Sequence, residues 1–142
     1  MSTKQLATFF AGDRFLGIEV TRVQEVIRSQ TITPAPLARG EIRGLINLRG
    51  IIVPALDLRR RLGFEDVAGG APPMNIVVRT DDELVSFLVD RIGDVVDVDD
   101  EQFEEPPETL RGAARDVVRG VYKLDGALLL ELDTDRALEA AA

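Results

Sequence analysis

The chain has 142 residues, enough for one compact domain or for two small lobes sharing a core, and 45% of them are hydrophobic, as expected of a folded protein. Its formal charge of −8 opposes attraction to nucleic-acid phosphates, and the absence of Cys and His removes disulfides, thiolate and imidazole metal ligands, a thiol nucleophile and the usual general base near neutral pH. The three serines (Ser2, Ser29, Ser86) stand in no nucleophile-elbow context, so no catalytic residue, cofactor or metal is assigned.

Taken in order, residues 6–11 and 14–19 read as strands flanking a bend at Gly12-Asp13. Residues 21–28 switch to helical spacing: Val20, Val23 and Ile27 fall on one face, and Thr21 with Gln24 fits a capping box. "TPAP", residues 33–36, is an extended connector, because each Pro fixes its own φ and restricts the residue before it. "RGLINLRGIIVPALDL", residues 43–58, reads as two strands around a polar bend, with Asn47 and Gly50 suited to positive φ there. Pro54 marks an edge or a bulge, since it cannot donate a ladder hydrogen bond. Residues 58–62 form a short helix that Gly63 stops.

Residues 64–73, containing Gly69-Gly70 and Pro72-Pro73, read as a surface loop. Strands resume at 75–79, 84–89 and 95–98. The last of these leads into 97–105, with six carboxylates in nine residues. Calcium does not suit it, because Gln102 occupies the position where an EF-hand loop needs Gly; a solvated loop is expected. Residues 117–123 and 127–132 make a last hairpin, and the Ala-rich tail 135–142 is helical. The triplet Arg59-Arg60-Arg61 is read as a solvated helix face.

Two halves are related. Shifted by 76, residues 43–58 match 119–134 at six of sixteen positions: Arg43/Arg119, Gly44/Gly120, Leu48/Leu124, Gly50/Gly126, Leu56/Leu132 and Asp57/Asp133. Shifted by 69, residues 13–27 match 82–96 at Asp13/Asp82, Val20/Val89, Arg22/Arg91 and Val26/Val95. Duplication of a small β unit follows, about five short strands per copy, enough for a small barrel each. The expectation is a mainly β chain forming one domain over 1–142. Its halves 6–64 and 74–132 are two intertwined barrel subdomains with a cleft where they meet. Asp57 and Asp133, equivalent in the repeat, are read as helix caps rather than as a catalytic carboxylate pair.

"VQEVI" (23–27), "TPAP", "GLINLRGIIVPALDLRRRLG" (44–63) and "FLVDRIGDVVDV" (87–98) together resemble the CheW-type chemotaxis coupling family, in the same order over nearly the whole chain. The resemblance implies two SH3-like β-barrels and a non-catalytic adaptor joining the cytoplasmic tips of methyl-accepting chemoreceptors to the regulatory domain of a CheA-type histidine kinase. It also implies that Val23, Glu25, Asn47, Arg49, Gly50 and Met74 belong to the receptor-binding surface. Arg49 is the sharpest of these, since a guanidinium at a hairpin tip presents fixed donors to carboxylates or helix-end carbonyls. Asn47 and Gly50 aim it. Val23 and Glu25 lie about 200° apart if the segment is helical, so both cannot face the core.

The kinase's regulatory domain shares this fold and is the alternative reading. A start at Met-Ser-Thr and an Ala-rich end fit the free-standing adaptor better. No stretch approaches the roughly 20 apolar residues of a membrane span, and residues 1–5 carry no signal core. The expected location is therefore cytoplasmic, with recruitment to membrane-anchored receptor arrays and no direct membrane insertion or nucleic-acid binding.

Overall fold

The computed structural model describes residues 3–12, 14–28, 30–34, 42–63, 73–81, 83–110 and 112–139. Period-two burial sets the strands, most plainly in β4 (Ile42–Leu48): Gly44, Ile46 and Leu48 face inward while Arg43 and Asn47 face out. Strands β1 (Thr3–Ala11), β2 (Arg14–Glu19) and β3 (Val23–Ile27) precede it, and β5 (Ile51–Asp57) follows. Then come the helix α1 (Leu58–Leu62) and strands β6 (Met74–Arg79), β7 (Leu84–Val89), β8 (Arg91–Asp99) and β9 (Phe103–Glu104). Helix α2 (Ala113–Val117), strands β10 (Val118–Leu124) and β11 (Ala127–Leu132), and helix α3 (Thr134–Glu139) complete the chain.

Two sheets result, with orders β8-β1-β2-β11-β10-β9 and β3-β6-β7-β5-β4. Each takes strands from both halves, because β3 and β8 cross to pair with the opening strand of the other half: β3 with β6, and β1 with β8. The repeat is visible in three dimensions. Parallel pairing joins Ala55 to Ser86 and, at the equivalent positions, Glu131 to Gly17. Arg43 Nη2 lies 3.0 Å from Asp57 Oδ2, and Arg119 Nη2 lies 3.5 Å from Asp133 Oδ2. Gly44 and Gly120 both sit at register shifts where another segment crosses closely. A Cβ on Gly44 would meet the Thr33 carbonyl oxygen at 2.2 Å, and one on Gly120 the Phe103 ring at 2.2 Å.

The main core lies between the sheets, where Phe9, Leu16, Leu56 and Phe87 meet Leu58 and Leu62 of α1 and Val117 of α2. A smaller core sits within each sheet, around Ile46, Val53 and Val77 in one and Leu6, Tyr122 and Leu129 in the other. Asp57 caps α1 by accepting from the Arg60 amide, Asp133 accepts from the Arg136 amide of α3, and Gly63 ends α1 at φ 79°.

Four expectations are corrected, and one, at Pro54, holds locally. Residues 21–28 are not a helix: Val20–Arg22 is one 3-10 turn, and Val23–Ile27 is a strand. Pairing of the β-branched Val23, Val26 and Ile27 alongside β6 outweighs two turns of helix, too few to sustain a nucleus in isolation. At Pro54 the strand is locally an edge, as expected, because β5 has no ladder partner there on the β7 side. It stands opposite Leu45, one residue before the β5–β7 ladder begins at Ala55, where its missing N–H is not needed.

The arginine triplet is no solvated face: Arg61 is buried and donates to the carbonyls of Ala137 and Arg136, Arg59 pairs with Asp90, and Arg60 lies 3.8 Å from Asp57. The acidic segment is ordered. Asp97 and Asp99 finish β8, and Asp99 caps a 3-10 turn at Asp100–Gln102 in a capping box with Gln102. Phe103 and Glu104 then pair with β10. Finally, Asn47 lies in β4, and the positive φ values of the bend belong to Arg49 and Gly50. Ala35, Pro36, the loop over 64–72, Asp13, Asp82 and residues 140–142 lie outside the described residues.

Candidate protein-docking site

Strands β4 and β5 pair up to Leu48 opposite Ile51, leaving a two-residue connection of Arg49 and Gly50. Both adopt positive φ, 51° and 92°, the combination that matches the twist of a tight hairpin. Gly bears this freely; Arg49 is the one non-glycine residue with positive φ among the described residues. Asn47 compensates, its side-chain oxygen accepting the Gly50 amide at 2.7 Å. Asn47 and Gly50 thus fix the direction of Arg49, whose side chain is 72% exposed.

The guanidinium of Arg49 reaches the carboxylate of Glu25 on β3. This pair bridges the two outer strands of one sheet, β3 and β4, which stand at opposite ends of its strand order. Glu25 owes its direction to a register shift. Val23 stands opposite Val78 and Glu25 opposite the adjacent Val77, so Gln24 is an extra residue and Val23 and Glu25 point to opposite faces. Val23 packs on the core between the sheets, and Glu25 lies on the side of Val77, at the core within its own sheet. The two residues do part company, through a β-bulge rather than a helical turn.

Of the six expected site residues, Glu25, Asn47, Arg49 and Gly50 come together. Val23 lies two residues before Glu25, half-buried on the opposite face. Met74, at the start of β6, packs half-buried against the core between the sheets. Sequence reasoning missed the apolar part of this surface. Ile51 and Ile52, directly after the turn, are 55% and 59% exposed. Their only signal was position: an apolar pair flanking a positive-φ turn has no strand beyond it to lie against. A guanidinium beside bare aliphatic side chains suits a partner that offers both carboxylate or carbonyl oxygens and an apolar stripe.

A second polar cluster lies on the other sheet. Lys4 Nζ stands 2.9 Å from both carboxylate oxygens of Glu131, which is fully buried, and 3.6 Å from Glu19; Arg119 adds a cation 3.7 Å from Glu131. Partial burial pushes the Lys4 ammonium down, but its hydrogen bond to Glu131 and that charge outweigh it, and its pKa is raised. Burial raises the pKa of Tyr122 beside it, against the opposing hydrogen bond from Lys4. This cluster is structural in its contacts. Among the described residues no group of three or more carboxylates is arranged to hold a metal ion, and no helix is long and apolar enough to cross a membrane.

The family model for the CheW-like domain matches residues 5–142. The chain is 32% identical over 135 residues to the chemotaxis protein CheW of Thermotoga maritima, covering 95% of this chain and 87% of that protein. It is 30% identical over 133 residues to that of Rhizobium meliloti, covering 92% and 86%. The crystal structure of the scaffolding protein TtCheW from Thermoanaerobacter tengcongensis superposes with a TM-score of 0.84 at 27% identity, over 93% of this chain and 90% of that one. The two-sheet fold, its order of strands and these likenesses together place the chain in the CheW-like family.

Proposed function

We propose that the protein is a non-catalytic chemotaxis scaffold that couples chemoreceptor cytoplasmic tips to a CheA-type histidine kinase by binding both. The observation that carries this reading is the Arg49–Glu25 pair at the edge of an exposed apolar turn, a surface shaped for a protein partner. Family membership and the relatives' printed descriptions, a chemotaxis protein and a scaffolding protein, support it. The receptor tip would dock on Glu25, Asn47, Arg49 and Gly50, with Val23 and Met74 shaping the surface from beneath. The kinase's regulatory domain would take a separate face. Signal would pass because contacts that differ between kinase states shift their equilibrium, with no bond made or broken.

An NMR titration of the isotope-labelled protein with a receptor-tip fragment and, separately, with the kinase regulatory domain tests this. Two distinct sets of shifted amides, the receptor set centred on Glu25 and Arg49, are expected. Response to the kinase domain alone would favour a regulatory module of a kinase assembly, and silence with both would defeat the proposal.

A further inference from the structure

The 3-10 turn Val20–Arg22 leads directly into β3, so its placement decides where Val23 and Glu25 lie. Two arginines fasten it reciprocally. Arg79, at the end of β6, donates through Nη2 to the Thr21 carbonyl at 2.8 Å, and Arg22 donates through Nη1 to the Arg79 carbonyl at 3.3 Å. Arg22 also holds Asp81 Oδ1 at 3.3 Å from both terminal nitrogens, and Asp135 Oδ2 lies 3.6 Å from its Nη2. The other oxygen of Asp135 accepts the Asp81 amide at 2.8 Å. One carboxylate in the first turn of α3 therefore meets both the guanidinium and the β6–β7 turn.

Helix α3 is itself tied to the other sheet. The Asp133 amide, just before α3, donates at 2.9 Å to the carbonyl of Val117, the last residue of α2 before β10, and its carboxylate faces Arg119 of β10. The contacts run without a gap from that sheet, through α3, to the start of β3. Ion pairs as exposed as these add little to global stability. Their geometric consequence is larger, because β3 is an outer strand laddered to β6 on one side only.

We propose that Arg22 and Arg79 are positioning residues for β3, and that Asp135 makes the placement of that strand depend on where α3 sits. The functional half of this inference rests on the receptor-docking reading of Glu25 and Arg49; the positional half does not.

The full chain is compared with its Arg22→Ala, Arg79→Ala and Asp135→Asn variants. In the free protein, Asp135→Asn is expected to shift the amides of Val23–Ile27 as well as those of its own neighbours. Arg22→Ala is expected to weaken receptor-tip binding about threefold to tenfold, within the range seen for network residues that touch neither ligand. Affinity for the kinase regulatory domain should stay unchanged. Arg22→Lys should recover part of the loss, and the swap of Arg22→Asp with Asp135→Arg more of it than either single change.

Unaltered receptor binding in Arg22→Ala, or equal weakening toward both partners, would overturn the positioning role. Should the wild-type chain bind no receptor tip, the docking reading fails by itself. The amide shifts then decide the positional half: a response confined to α3 and residues 80–83 overturns it, and one reaching β3 upholds it.

Discussion

The guanidinium of Arg49 is joined to the carboxylate of Glu25, 24 residues away along the chain, and spans the gap between a hairpin turn and the outer strand β3. Because Arg49 is mostly exposed, the pair contributes at most about 1 kcal/mol to folding. A partner that excludes water from the same guanidinium gains more. Arg49→Ala should therefore weaken receptor-tip binding by about 1–3 kcal/mol, mainly through faster dissociation. The thermal midpoint should move by less than about 4 °C. Calorimetry on both quantities checks this, and a large midpoint shift with unchanged affinity would make Arg49 a structural residue.

Glu131 is fully buried, and Lys4 is its nearest cation. Lys4→Met should cost about 2–3 kcal/mol, below the full penalty for an orphaned buried charge because Arg119 remains near. Adding Glu131→Leu should recover most of that loss, since the desolvated carboxylate is then gone. Denaturant unfolding of the two variants reads both effects.

Lys4 and Tyr122 both have raised pKa values. In each case the folded state keeps its proton to higher pH than the unfolded chain. The stability they add is fully present below their unfolded values, 10.5 for Lys4 and 10.0 for Tyr122, and is lost as pH rises through the higher folded values. Unfolding free energy should thus lose this contribution above about pH 10, and Lys4→Met should flatten the slope there.

Gly44 and Gly120 hold equivalent places in the repeat but face different obstacles. The atom nearest a new Cβ at Gly44 is the backbone oxygen of Thr33, which is itself bonded to Leu45; at Gly120 it is the partly exposed ring of Phe103, with the Glu104 backbone oxygen farther off at 2.9 Å. A ring can swing aside where a paired backbone cannot. Gly44→Ala should cost about 2–3 kcal/mol and Gly120→Ala about 1 kcal/mol less, by thermal or chemical unfolding.

The sequence alone determined most strands, three of the hairpins, the cap roles of Asp57 and Asp133, and the duplication, because period-two burial, turn residues and caps act over a few neighbouring positions. It also marked Arg49, since a charged residue between two apolar strands has nowhere to go but the bend. Tertiary structure decided the rest. Val23–Ile27 became a strand because β6 was there to pair with it, and a single bulge at Gln24 sent Val23 and Glu25 to opposite faces. The arginine triplet turned inward because Asp90 and the last carbonyls of α3 lay within reach. Ile51 and Ile52 stayed exposed because nothing among the described residues covers the tip beyond Arg49. In each case the deciding partner lies far along the chain, and local propensity carries no record of it.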